Sequence, residues 1–232
     1  AKATGEALGY DVIWTGTTEV DTPGLITIIE NLIAQDVDAI CLASGDTSSV
    51  VPICQQAMAK GIKVVLINQV VGPRLDTADP QFPGPSASVL VPPLRSGTLL
   101  GQLTLKACAD KSPCRVLYFY GIKGIPVDTA LRQGFDTATA TNPTIKVVAE
   151  GEGKYLGPDT AMNATRDILQ KTPDFDVVVG SDQAIQGVEL ALKDAGKLSS
   201  VRLIGYGGSN PAITAVKAGT WFGDIHGAPG TE

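Results

Sequence analysis

Short runs of aliphatic and β-branched residues alternate with stretches of helical spacing along nearly the whole chain, and this alternation limits the fold more than any other feature. After Ala1–Gly9, which reads as the back half of a helix stopped by glycine, residues 10–15 (YDVIWT) read as a strand. Pro23 then opens a helix with Leu25, Ile28, Ile29, Leu32 and Ile33 on one face. Strand 38–43, helix 47–60 closed by Gly61, and strand 62–67 follow. The rhythm resumes with helix 95–108, strand 114–120, helix 127–140 and strand 145–150. Helix 158–171, strand 175–180, helix 182–195, strand 201–206, helix 210–218 and strand 220–225 complete it. Apolar strands separated by single helices predict α/β architecture, with parallel sheets covered on both faces and right-handed crossovers.

The alternation breaks at 69–86, a proline-rich stretch with little periodicity. The strand ASVLV (87–91) then runs straight into Pro92-Pro93, a rigid step suited to a crossing between lobes. A first lobe over 1–91 and a second over 92–225 are expected, with 226–232 turning back toward the first lobe. The chain of 232 residues is long enough for two lobes of roughly a hundred residues each. Its opening in mid-helix and its abrupt end read as a fragment of a longer protein.

Composition and motifs exclude several classes. Hydrophobic content of 44% against 18% charged residues predicts a packed core. A net charge of −6 with no basic run disfavours a nucleic-acid surface, and no apolar stretch reaches the ~18 residues of a membrane span. His226 is the only histidine and no CxxC occurs, so neither a zinc site nor another metal is expected. No GxGxxG, Walker or GxSxG pattern occurs, so no cofactor and no catalytic triad are expected. Cys108 and Cys114 flank the short loop ADKSP and could form a disulfide or remain two buried thiols. Cys41 in a buried strand and Cys54 in a helix read as small apolar packing.

In open parallel sheets, ligands bind beyond the carboxyl ends of the strands. The loops there are Thr15–Glu19, Ser44–Asp46, Asn68-Gln69, Gly121–Gly124, Ser181–Gln183 and Tyr206–Asn210. They are rich in hydroxyls, amides and single carboxylates, a mix suited to hydrogen bonding with a neutral polar ligand. Some of these groups serve the backbone equally well. Asn210 before Pro211 reads as a helix N-cap, Ser181 and Asp182 could cap the next helix, and Glu19 and Asp21 read as solvated.

Two long segments carry a family resemblance. LGYDVIWTG with TIIENLIAQDVDAICLASGDTSSVVPICQQAMAKGIKVVLIN, and ALRQGFDTA with DILQKTPDFDVVVGSDQAIQGVELALKDAGK and VRLIGYGGSNPAITAVKAGTWFGDI, resemble the type 1 periplasmic sugar-binding proteins of ABC transporters. WTGTTEVDTPG is most similar to the branch that includes autoinducer-2 and rhamnose binders. The resemblance implies two doubly wound parallel-sheet lobes, incomplete at both ends, that close on a ligand. It also implies a monomer in the periplasm or held at the cell surface as a lipoprotein, with an ABC transporter permease as partner. Carried over residue by residue, it implies ligand contacts from Thr17, Asn68, Gln69, Asp128, Arg132, Ser181, Asp182, Gln183, Tyr206 and His226, a sugar-stacking ring at Tyr155, and a hinge at Pro92 and Pro93. Several charged positions of the family pattern are replaced here, among them by Asn68, Pro92, Leu131 and Gly207. A charge-assisted hydrogen bond contributes roughly 1.5–3 kcal/mol, so the expected ligand is a small neutral sugar-like, polyol or furanose-like molecule. LacI-type transcription regulators share this core and are the alternative.

Overall fold

Helix starts in this protein are set by small caps and proline. The Asp21 carboxylate accepts from Gly24 N (3.0 Å), with Pro23 behind it, and so opens the helix Thr22–Ala34 (α2). The computed structural model describes residues 2–17 and 21–226, and these divide into two compact units. The first comprises residues up to Pro73 together with Asp79–Val89; the second comprises Arg74–Ala78 and everything from Leu90 onward. Glu19 and the segment 227–232 lie outside the described residues.

The first unit contains helix Lys2–Ala7 (α1), α2, strand Ala39–Leu42 (β1), helix Val51–Ala59 (α3), strand Lys63–Ile67 (β2) and strand Ala87–Val89 (β3). The strands form one parallel sheet in the order β1-β2-β3. Ile40, Leu42, Val64 and Leu66 face Ile29 and Ile33 of α2 and Ile53, Cys54 and Ala57 of α3 in a single core. Burial alternates along β1, so among the described residues the core of this unit lies on one face of that strand. Cys41 is exposed for that reason, not buried as expected. The expected strand at 10–15 is irregular chain: a strand exists only with a ladder neighbour, and among the described residues it pairs with none. Tyr10, Ile13 and Trp14 are accordingly 69%, 53% and 73% exposed. From Asn68 to Ser86 there is no helix or strand, although Val70 and Val71 are buried and Gly72 N donates to Thr47 O.

The second unit begins its helices with Pro93–Ala107 (α4). Pro92 stands at the cap and Pro93 is buried in the first turn, where a missing N–H costs nothing. Strand Cys114–Tyr120 (β4), helix Pro126–Thr139 (α5), strand Ile145–Glu152 (β5) and helix Pro158–Lys171 (α6) follow. Strand Val177–Val179 (β6), helix Asp182–Asp194 (α7), a 3-10 turn at Leu198–Ser200, strand Arg202–Tyr206 (β7), helix Asn210–Lys217 (α8) and strand Gly223–Ile225 (β8) complete it. All five strands are parallel, in the order β5-β4-β6-β7-β8. Here both faces are covered. Leu117, Phe119, Val178 and Leu203 pack toward Ile185, Val188 and Leu192 of α7. Val116, Tyr118, Val177, Val179 and Ile204 pack toward Leu100 of α4 and Phe135 of α5.

Helices α4 and α5 meet backbone to backbone. A Cβ on Gly97 would fall 2.0 Å from Leu131 O, and one on Gly134 would fall 2.2 Å from Leu94 O, so neither site admits a side chain. Cys108, at the end of α4, and Cys114, at the start of β4, are joined by a disulfide. Helix α8 is capped by Ser209, whose Oγ accepts from Ala212 N, rather than by Asn210 as expected. Asn210 is instead the first helical residue, because the turn of Gly207 and Gly208 delivers Ser209 to the cap with extended backbone.

Candidate functional site

At the carboxyl end of β4 the chain turns through Gly121 and Ile122 into α5, and both backbone N–H groups point at one carboxylate. Asp128, in the first turn of α5 and only 2% exposed, accepts from Gly121 N (2.8 Å), Ile122 N (3.0 Å) and the Tyr155 hydroxyl (3.1 Å). Burial raises its pKa above the usual carboxylate value, and the N–H groups of Ile122 and Gly121 pull against that rise.

Tyr155 reaches Asp128 from the loop after β5, where both Lys154 (φ 58°) and Tyr155 (φ 56°) take left-handed backbone conformations. Its ring lies flat against Gly121: a Cβ there would come within 1.9 Å of the ring. Burial of the hydroxyl, reinforced by the Asp128 charge, pushes the Tyr155 phenol far above its ordinary value. Tyr155 as a whole remains 36% exposed.

Asp128, Tyr155, Ser181 and Tyr206 line one small cleft in the second unit, together with Gly121 and Tyr118. Ser181 caps α7 by accepting from Ala184 N (3.3 Å), and Asp182, the next residue, accepts from Ser209 N (2.7 Å). Tyr206 is half-buried at the end of β7, and burial raises its hydroxyl pKa. Gln183 is exposed on the first turn of α7.

The remaining expected residues lie elsewhere. Arg132 is not in the cleft. Its guanidinium donates to Asp136 (2.8 Å), the Tyr120 hydroxyl (2.8 Å) and Glu150, and it lies 5.0 Å from the Tyr118 ring centre. Lys123 joins the same network through Glu150. Glu150, one position in an alternating strand, was invisible as a partner because pairing depends on register. His226 follows β8, with Nδ1 2.1 Å from where a Cβ on Gly208 would stand. Thr17, Asn68 and Gln69 belong to the first unit. Asn68 holds a left-handed backbone (φ 64°) at the end of β2 and donates its N–H to Val89 O (2.9 Å), while Thr17 is exposed.

The sequence reading passed over Asp224 of β8 and Ser96 of α4. Ser96 Oγ, Asp182 Oδ1 and Asp224 Oδ1 are buried without hydrogen-bond partners. An acidic residue inside the apolar run WFGDI was the available signal for Asp224. Among the described residues, no group of three or more His, Cys, Asp or Glu could hold a metal ion. No helix among them is long and apolar enough to cross a membrane.

Parallel α/β units whose strand ends carry held carboxylates and phenols form a scaffold for binding a polar solute. The chain belongs to the periplasmic binding protein domain family, whose model matches residues 1–232. It is 26% identical over 196 residues to the D-ribose/D-allose-binding protein of Pseudomonas aeruginosa, covering 81% of this chain and 57% of that protein. It is 24% identical over 220 residues to the xylitol-binding protein of Mycolicibacterium smegmatis, covering 94% of this chain and 59% of that protein. Its fold is similar to that of an ABC transporter periplasmic solute binding protein from Actinobacillus succinogenes solved with bound D-allose. That match has a TM-score of 0.82 at 26% identity and covers 95% of this chain and 76% of that one. The chain thus spans less than two thirds of the length of the curated relatives it matches.

Proposed function

We propose that this protein is an extracytoplasmic solute-binding protein of an ABC importer, taking up a small neutral sugar-like or polyol ligand. The reading rests on the cleft of the second unit, where Tyr155, Tyr206 and Ser181 present hydroxyl-bearing side chains around a carboxylate already held by internal donors. A cleft whose one charge is internally balanced favours a ligand with hydroxyls over a ligand with net charge. The relatives support the same class: one is a D-ribose/D-allose-binding protein and another a xylitol-binding protein.

In this reading the protein is a monomer without catalytic activity and delivers its ligand to a membrane permease. Ligand contacts from Thr17, Asn68 and Gln69 of the first unit, and a stiff crossing at Pro92-Pro93 about which the units close, belong to the same proposal. Small-angle scattering tests the closure: the radius of gyration should fall on saturation with ligand. Calorimetric titration against neutral pentoses, hexoses, pentitols and inositols tests the class. One of these should bind with one site per chain. Binding of charged solutes only, or no binding by any member of the panel, would contradict the reading.

A further inference from the structure

Two of the partnerless oxygens belong to carboxylates that meet at β7. Asp182 opens α7, and Asp224 of β8 stands in register with Gly205 of β7. A Cβ on Gly205 would fall 2.6 Å from Asp182 Oδ1 and 2.7 Å from Asp224 Oδ1, so both orphan oxygens converge on the same bare Cα. The second oxygen of Asp182 accepts from Ser209 N (2.7 Å) and sits over Gly207, where a Cβ would fall 2.8 Å away. The backbone N–H groups of Gly208 and Ile225 pull against the rise in the Asp224 pKa. The two glycines of the turn therefore make room for a carboxylate and a histidine ring.

Two ionised carboxylates can only accept, and here each would keep a buried oxygen with nothing to accept and a like charge close by. One proton cures both faults: it turns one oxygen into a donor for the other and removes one charge. We propose that Asp182 and Asp224 share one proton at neutral pH and form a pH-sensitive latch that holds the Tyr206–Ser209 turn against the start of α7. Its bearing on ligand binding rests on the reading above, since Tyr206 and Ser181 line the cleft.

Among the described residues, α4 sets no lysine or arginine against the pair. α4 packs on β7 and β8, but its charged Arg95 and Lys106 are exposed. Glu189 of α7 is engaged by Trp221 Nε1 (2.7 Å), and the other titratable groups nearby are Tyr206 and His226. Burial first, and then the charge and side chain of Asp182, push Asp224 up to about 8. Above that pH the proton leaves to solvent, the second charge forms, and repulsion loosens the turn.

The test is a carbon NMR titration of the aspartate carboxyls in the full, ligand-free chain. The Asp224 carboxyl should titrate with a midpoint near 8. The amide signals of Gly208 and Ser209 should move with that step. Asp224→Asn should abolish the step. An Asp224 midpoint in the ordinary range near 4, turn amides that ignore the step, or a step that survives Asp224→Asn would overturn the latch. The titration of the unsubstituted protein stands even if the variant folds poorly. It uses no ligand, so its failure is distinct from failure of the sugar panel.

Discussion

Asp46 in the first unit and Asp128 in the second are each held by three donors, two backbone N–H groups and a hydroxyl, yet their pKa values move in opposite directions. Asp46 accepts from Ser48 N (2.8 Å), Ser49 N (2.7 Å) and Ser49 Oγ (2.9 Å) at the surface-facing turn before α3, and those backbone N–H groups lower its pKa. Asp128 accepts from two backbone N–H groups and a phenol, but it is buried, and desolvation overrides its donors and raises its pKa. Asp224 completes the series: buried, with one oxygen unpartnered and a like charge beside it, it is raised furthest. The lesson is that a count of hydrogen bonds does not predict the charge state of a carboxylate. Water access decides first, and donors correct the result.

The comparison can be broken at the buried end most forcefully. Asp128→Ala leaves two backbone N–H groups and the Tyr155 hydroxyl without an acceptor, and should cost about 3 kcal/mol in chemical denaturation. Gly121→Ala drives a methyl into the Tyr155 ring and should cost about 1–3 kcal/mol by overpacking, measured in the same way. Tyr155→Phe removes only one donor and should cost about 1 kcal/mol. Asp46→Ala, with water able to replace the lost acceptor, should cost about 1 kcal/mol or less.

The pH dependence sharpens the same contrast. Asp46 has a lowered native pKa, so its contribution is present above the usual carboxylate range and is lost as pH falls through the native value. Asp128 has a raised native pKa, so its contribution is present below that range and is lost as pH rises through the native value. Denaturation profiles between about pH 3 and about pH 7 should therefore show Asp46→Asn flattening the acid limb. Asp128→Asn should flatten the opposing decline. Equal effects of the two variants would remove the distinction.

Much of the second unit was legible in sequence because its strands are continuous apolar runs with both faces packed. Cys114–Tyr120 and Pro158–Lys171 lie where their patterns placed them, and Ser181 caps its helix as read. The first unit was less legible. YDVIWT has strand composition, but a strand is a pairing, and one sequence segment cannot show whether its neighbour is present. Cys41 was misplaced because an apolar run does not reveal which of its alternate residues meets the packed face. Of the residues that line the small cleft, Asp128, Tyr155, Ser181 and Tyr206 were nameable from loop position and resemblance. Arg132 could not be separated from them, because its capture by Glu150 depends on the register of β5 beside β4. Asp224 escaped because a lone acid in a short terminal strand carries no mark of its burial.

We propose the held carboxylate and phenols of the second unit as the seat for a neutral polyhydroxyl ligand. Backbone NMR of the full chain, titrated with D-ribose, D-allose and xylitol in turn, tests this most directly. At least one titration should saturate, with the largest shifts at the Gly121 and Ile122 amides and around Ser181 and Tyr206. Saturation with those signals unmoved, or no response to any neutral sugar or polyol, would contradict it.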